Sequence, residues 1–144
     1  MEGLQFPILS KQLTIHTKGE GEVLNITQKA SEAVDETRFE KGIITIFVVG
    51  STGALTTIEY EPGLIADLST VLERIAPKSV LYEHEKRWRD GNGHSHIRAS
   101  MIGPSITIPF LDGKLMLGTW QQIVFIELDV RSRVRKLILQ IMGE

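Results

Sequence analysis

The first chemistry legible in this sequence is a pair of histidines, in Gly93-His94-Ser95-His96-Ile97-Arg98-Ala99-Ser100-Met101. Side chains alternate between the two faces of a strand. Read that way, the run puts His94, His96, Arg98 and Ser100 on a polar face, with Ser95, Ile97, Ala99 and Met101 opposite. Two imidazoles side by side can ligate one divalent ion at about 2.0–2.1 Å, and a catalytic zinc centre wants three protein ligands and an open position. His84, across the Asp90-Gly91-Asn92-Gly93 turn, is the candidate third. The candidate metal set is therefore His84, His94 and His96, against the plainer reading of two exposed histidines on a solvated strand.

Three further features bear on that site. Glu59, in the otherwise apolar Leu55–Tyr60, is the carboxylate best able to act as base or orienting group, unless it is simply an outward-facing glutamate. In Gly118-Thr119-Trp120-Gln121-Gln122, Trp120 offers either an apolar pocket wall or a core aromatic, and the Gln121 amide both donates and accepts. Arg131, Arg133 and Arg135 would share one strand face, where guanidinium groups can clamp a phosphate or merely protect an edge strand. Ser51-Thr52-Gly53 can hold an anion through backbone amides or be a plain turn.

The sequence has no Gly-x-x-x-x-Gly-Lys-Ser/Thr loop, no Gly-x-Gly-x-x-Gly, no His-Glu-x-x-His and no Gly-x-Ser-x-Gly. Phosphate-loop, dinucleotide-binding, zincin and nucleophile-elbow chemistries lose their usual signatures. With no cysteine, disulfides, iron–sulfur clusters, thiolate zinc and a cysteine nucleophile are excluded. Sixteen basic against eighteen acidic residues give a net charge of −2, which argues against broad electrostatic binding of nucleic acid. The longest apolar run, Ile43 to Val49, is far short of the ~20 residues that span a bilayer. The N-terminus shows no basic segment followed by an apolar one. The expectation is a cytoplasmic protein with no membrane partner.

The elements that must position these residues fit one domain over residues 1–144. The chain has 144 residues, 42% hydrophobic and 24% charged, a composition that excludes disorder. Alternation over 12–17 predicts a half-buried strand. Ile26, Ala30, Ala33 and Val34 fall at helical spacing behind a cap at Asn25 or Thr27. Ile43–Val49 reads as a central strand buried on both faces, and Leu55–Tyr60 as another strand. Leu64, Ile65, Leu68, Val71, Leu72 and Ile75 predict a second helix ending by Pro77. The remainder reads as strands at 79–83, 94–102, 105–110, 114–117, 120–129 and 133–142. Two helices and late-bunched strands predict an α+β fold, a mainly antiparallel β-sandwich-like domain.

In order and spacing, these stretches resemble the YjbQ family of secondary thiamine-phosphate synthase enzymes. The resemblance covers nearly the whole chain. It is carried by Ser51-Thr52-Gly53-Ala54-Leu55-Thr56-Thr57-Ile58-Glu59, His84, Asp90-Gly91-Asn92-Gly93-His94-Ser95-His96, Gly103-Pro104-Ser105, Leu117-Gly118-Thr119-Trp120-Gln121, and Glu127 followed by Arg131-x-Arg133. It implies a YjbQ-like α+β fold, a homotrimer, and a histidine pocket with a divalent ion, zinc or magnesium, on His84, His94 and His96. Glu59 and Gln121 would lie nearby, with Arg133 towards an anionic group. The implied activity joins a pyrimidine diphosphate to a thiazole phosphate and releases pyrophosphate, as a side activity. Relatives often carry a histidine before the Ala-x-Leu stretch, where this chain reads Val49-Gly50-Ser51-Thr52-Gly53-Ala54, so one imidazole is missing.

Two kinds of function follow. As an enzyme, the protein would act on a small anionic or phosphorylated metabolite, as a thiamine-phosphate synthase or a metal-assisted phosphoester hydrolase, with Glu59, His94, Gln121 and Arg133 as catalytic candidates. As a non-catalytic trimeric module, it would bind such a metabolite or a metal in the same pocket.

Overall fold

The β-branched run around Ile44 forms the middle of a sheet in the computed structural model, which describes residues 5–144. Strand β1 (Ile8–His16) leads to a short β2 (Val23–Asn25), helix α1 (Thr27–Thr37), β3 (Lys41–Val48) and β4 (Gly53–Ile58). Helices α2 (Pro62–Ile75), α3 (Glu83–Trp88) and α4 (Gly93–Ile102) follow in succession. Strands β5 (Ser105–Leu111), β6 (Lys114–Leu115), β7 (Gln122–Glu127) and β8 (Val134–Gly143) complete the order. One sheet runs β1-β8-β3-β5-β6 and the other β2-β7-β4, and the strand pairs are antiparallel.

The two sheets share a core. Ile44, Ile46 and Val48 of β3 meet Leu137, Leu139 and Ile141 of β8, with Leu55, Ile123 and Phe125 coming from the smaller sheet. Helix α1 adds Ala30, Ala33 and Val34, small enough for the helix to lie close. The other face of the smaller sheet, through Ala54, Val124, Ile126 and Leu128, packs on Leu72 of α2 and Ala99 of α4. The layers are therefore sheet, sheet, helices. This buries β7 on both faces and explains its unbroken Ile123-Val124-Phe125-Ile126. Strand β3, expected to be buried on both faces, is buried on one. Phe47 is 44% exposed because the far face of the larger sheet is uncovered.

The fold class is the expected α+β arrangement, with four helices rather than two. Two of the expected strands are absent: 79–83 is loop running into α3, and 94–102 is α4. Glu85 links these two helices, accepting the Tyr82 N–H at 3.0 Å and bonding the N–H of Gly93. Helix α2 starts where Glu61 accepts the N–H groups of Gly63 and Leu64, with Pro62 in the first turn. No described helix is long and apolar enough to cross a membrane.

Candidate functional site

Where β4 begins, β7 ends and β8 begins, the chain buries an unusual number of charges. Glu127 is 0% and Arg135 is 5% exposed, and the Nε and Nη2 edge of the guanidinium grips both carboxylate oxygens, Nε donating to Oε2 at 2.8 Å. Arg135 Nη2 also donates to Thr52 Oγ1 at 2.9 Å, and Thr17 Oγ1 donates to Glu127 Oε2 at 2.8 Å. Next to this pair, buried Asp129 receives Arg133 Nε at 2.8 Å, Thr52 Oγ1 at 3.0 Å and the Val130 N–H at 2.8 Å. Burial opposes ionisation of Asp129, but the hydrogen bonds from Arg133, Thr52 and Val130 outweigh it and hold the carboxyl below its usual range. Each carboxylate thus holds one arginine in place.

His84 of α3 and His96 of α4 come together beside this network, their ring centroids 4.5 Å apart. Asn92 lies between the two groups and hydrogen-bonds on the histidine side. One end of its amide is 3.1 Å from His84 Nε2 and 2.8 Å from Asp90 Oδ1, where the nitrogen is the donor those atoms need, and the other end is 3.5 Å from Asp129 Oδ1. His84 Nε2 is also 3.2 Å from Asp90 Oδ1. Burial, then the neighbouring His84, pushes the His96 pKa below the ordinary histidine value against the pull of Asp90 and Asp129. His96 is therefore a neutral imidazole at neutral pH, able to accept or hand on a proton.

His94 is elsewhere. The strand reading placed it beside His96, but on a helix residues two apart point about 200° from one another. His94 is 2% exposed and bonded to Glu20, which also pairs with Lys78. Burial raises the Glu20 pKa, but Lys78 and His94 outweigh it, so the carboxyl sits below its usual range. His94 thus fastens the Gly19-Glu20-Gly21 turn to α4. The set His84, His94 and His96 is not assembled, and among the described residues no three His, Asp or Glu side chains are arranged to hold a metal ion. The divalent ion does not fit the three-histidine set.

Glu59 and Gln121 are also apart from the histidines. Glu59 is exposed just beyond the last residue of β4, and seven residue steps of about 3.3 Å put it about 23 Å from Thr52. Gln121 lies at that same end, its Nε2 donating to Thr57 Oγ1 at 3.0 Å. Trp120 is neither pocket wall nor core; it is 73% exposed in the turn before β7. Arg133 lies at the histidine corner, while Arg131 is exposed and Arg135 faces inward.

The corner opens on a cavity of about 190 Å³ lined by Gly50, Ser51, Gly53, His96, Ser100 and Pro104. Asp90, Asp129 and the inward Arg135 are the residues sequence reasoning missed. For Arg135 a signal existed: it shares strand parity with Leu137, Leu139 and Ile141, the buried side of β8. Nothing comparable marks Asp129.

The family model for the UPF0047 protein YjbQ-like family matches residues 11–144. A UPF0047 protein of Methanothermobacter thermautotrophicus is 32% identical over 142 residues, covering 99% of this chain and 97% of that protein. The UPF0047 protein YugU of Bacillus subtilis is 31% identical, covering 92% and 98%. The crystal structure of a YbjQ-like protein from Sulfolobus solfataricus P2 superposes with a TM-score of 0.90 at 30% identity, covering 97% of this chain and 100% of that one. A YjbQ/UPF0047 family protein from Clostridium acetobutylicum gives 0.82 at 33%, covering 91% and 98%. The chain belongs to the YjbQ family.

Proposed function

We propose that this YjbQ-family protein is a cytoplasmic enzyme of small phosphorylated substrates, with weak thiamine-phosphate synthase activity centred on His84, His96 and Arg133. The observation that supports it most is the meeting of two imidazoles, one of them held neutral, with an anchored guanidinium beside a cavity. In the reaction, the bond from the pyrimidine methylene carbon to the diphosphate oxygen breaks and its electron pair leaves with pyrophosphate. A carbon–nitrogen bond to the thiazole forms in its place. No protein nucleophile is needed. The demand is for positive charge and a proton where the leaving oxygen becomes negative. Arg133, fixed by Asp129, supplies the charge, and the His84–His96 pair, its rings tilted 50° and 4.5 Å apart, carries the proton.

The residues that do this work are the chain's own, and no step here passes through a metal. The zinc or magnesium ion that the resemblance implies finds no three-ligand set among the described residues, with His94 committed to Glu20. Glu59 and Gln121 take no part within one chain. The assembly proposed is a homotrimer, checked by light scattering of the eluting protein.

The test is pyrophosphate release from the pyrimidine diphosphate with and without the thiazole phosphate. Acceptor-dependent release that falls at least tenfold in His96→Ala and Arg133→Gln supports the synthase reading. Release without the acceptor points to the phosphoester hydrolase instead. A second reading, a non-catalytic binding module, is favoured by the full pairing of Glu127 and Asp129, which leaves neither free as a base. It predicts a raised melting temperature with phosphorylated ligands and no turnover.

A further inference from the structure

Arg135 has five N–H donors, and the fold uses three of them. Nε and Nη2 bond Glu127, and the second Nη2 proton goes to Thr52. Nη1 has no hydrogen-bond partner among the described residues. It is also not a sealed-off atom, because the buried side-chain polar atom without a partner is Ser95 Oγ. A side chain 95% buried therefore keeps one charged, unused edge.

The position of that edge is informative. A Cβ built on Gly50 would lie 2.9 Å from Arg135 Nη1, and one built on Gly53 would lie 3.6 Å from the guanidinium carbon. Both glycines line the cavity beside His96. Two glycines of the cavity wall thus lie against the guanidinium, and a side chain at 50 would crowd Nη1. The cavity holds about 190 Å³, below the roughly 300–1,000 Å³ of pockets that enclose a whole drug-sized ligand. It suits a small charged group rather than an entire nucleotide. Glu127 fixes the other edge of Arg135, so an arriving group meets N–H donors already oriented and not a mobile side chain.

We infer that Arg135 Nη1, reached past Gly50 and Gly53, is the subsite for the terminal phosphoryl group of the substrate, with Ser51 and His96 at the cavity wall. The inference rests on the reading of this corner as the site for a phosphorylated substrate and names the group that grips the phosphate end. Arg133 then serves the leaving oxygen at the histidines, and the two arginines divide the work.

The experiment is calorimetric titration of inorganic phosphate and of pyrophosphate into metal-free protein, beside a separate zinc titration. Wild type and Gln121→Ala are expected to bind phosphate alike. Gly50→Ala, with wild-type circular dichroism, is expected to bind it at least about tenfold more weakly, the size of one charge-assisted contact. Gly53→Ala is a poor probe, since its Cβ would strike the Phe125 ring at 2.7 Å. Arg135→Lys is a second variant, in which the compact ammonium is drawn to Glu127 and the separate Nη1 edge beside Gly50 is lost, so phosphate binding is expected to weaken. Undiminished phosphate binding in folded Gly50→Ala overturns the inference, as does the absence of phosphate and pyrophosphate binding in wild type. The functional reading fails separately: a folded His96→Ala that keeps full acceptor-dependent turnover removes the histidine corner while leaving the phosphate subsite standing.

Discussion

The two ends of the β4–β7 ladder are built from similar residue types and used in opposite ways. At the end near Gly53, Glu127, Asp129 and Arg135 are buried and every carboxylate has its guanidinium. At the end near Ile58, Glu59, Tyr60, Trp120 and Gln121 face solvent, and a wider hollow of about 460 Å³ is lined by Gln28, Ser31, Asp35, Lys114 and Gln121. Neither Asp35 nor Lys114 forms an ion pair among the described residues. Burying charges is expensive, and replacing such a pair by apolar residues is often neutral or better for stability. An exposed glutamine costs the fold nothing. The first end therefore holds buried charges that stability alone does not require, while the second presents surface.

The sharpest way to break that comparison is to remove one buried carboxylate. Glu127→Ala leaves Arg135 charged and unpaired in the interior and is expected to lower stability by about 3–5 kcal/mol. Gln121→Ala, losing two exposed hydrogen bonds, is expected to lower it by about 0.5–1 kcal/mol. Urea denaturation of both variants decides the matter, and equal losses would mean that the two ends do not differ.

The two histidines of α4 provide the next largest contrast. His94→Ala empties a buried position and strips a partner from Glu20, for an expected loss of about 2–3 kcal/mol. His96→Ala, half-buried at the cavity, should cost under about 1 kcal/mol. Its effect belongs in turnover. Thermal unfolding and the pyrophosphate assay, run on both, should move in opposite order. A His94 variant that kept stability and lost activity would restore the side-by-side histidine arrangement.

The pH dependence of stability sharpens the comparison further. Asp129 binds its proton less readily folded than unfolded, so its contribution is present above its ordinary pKa and is lost as pH falls through the lower folded value. Wild type should hold its denaturation midpoint down to about pH 4 and lose it below that. Arg133→Gln withdraws the main support of the lowered value, so stability at neutral pH should fall and the acid limb that Asp129 contributes should flatten. An unchanged acid limb would mean that Arg133 does not hold Asp129.

These contrasts also explain what was legible. Apolar periodicity found β3, β7, β8, α1 and α2 because apolar side chains form their buried faces. It failed at α4, whose buried positions are Gly93, His94, Ser95, Arg98 and Ala99. There the interior face is polar, paid for by Glu20, Glu73 and the Ala76 carbonyl. The exposed Ile97 and Met101 then mimic strand alternation. Gly103-Pro104, directly after Ile102, is a helix-ending signal. The histidine corner was legible in part: His84, His96 and Arg133 meet, while His94, Glu59 and Gln121 were grouped by motif and are separated by three-dimensional structure. Ion-pair partners such as Asp129 leave no periodic trace, since they are selected by geometry across β7 and β8.

The smallest expected effect tests the second end on its own terms. Trp120 is 73% exposed and Met116 is 58% exposed in the loop between β6 and β7, so within one chain neither has much to lose. Trp120→Ala should change the stability of an isolated chain by no more than about 0.5 kcal/mol. The loop is nevertheless held in shape, because Gly118 donates its N–H to Gln121 Oε1 at 3.1 Å and Gln121 donates its own to the Gly118 carbonyl at 3.0 Å. A rigid turn that displays a tryptophan is the form an interface anchor takes. Unfolding midpoints measured across protein concentration separate the cases. A Trp120→Ala midpoint equal to wild type at every concentration leaves this end as bare surface. A deficit that grows with concentration, together with a lower mass in light scattering, makes it the contact through which copies of the chain associate.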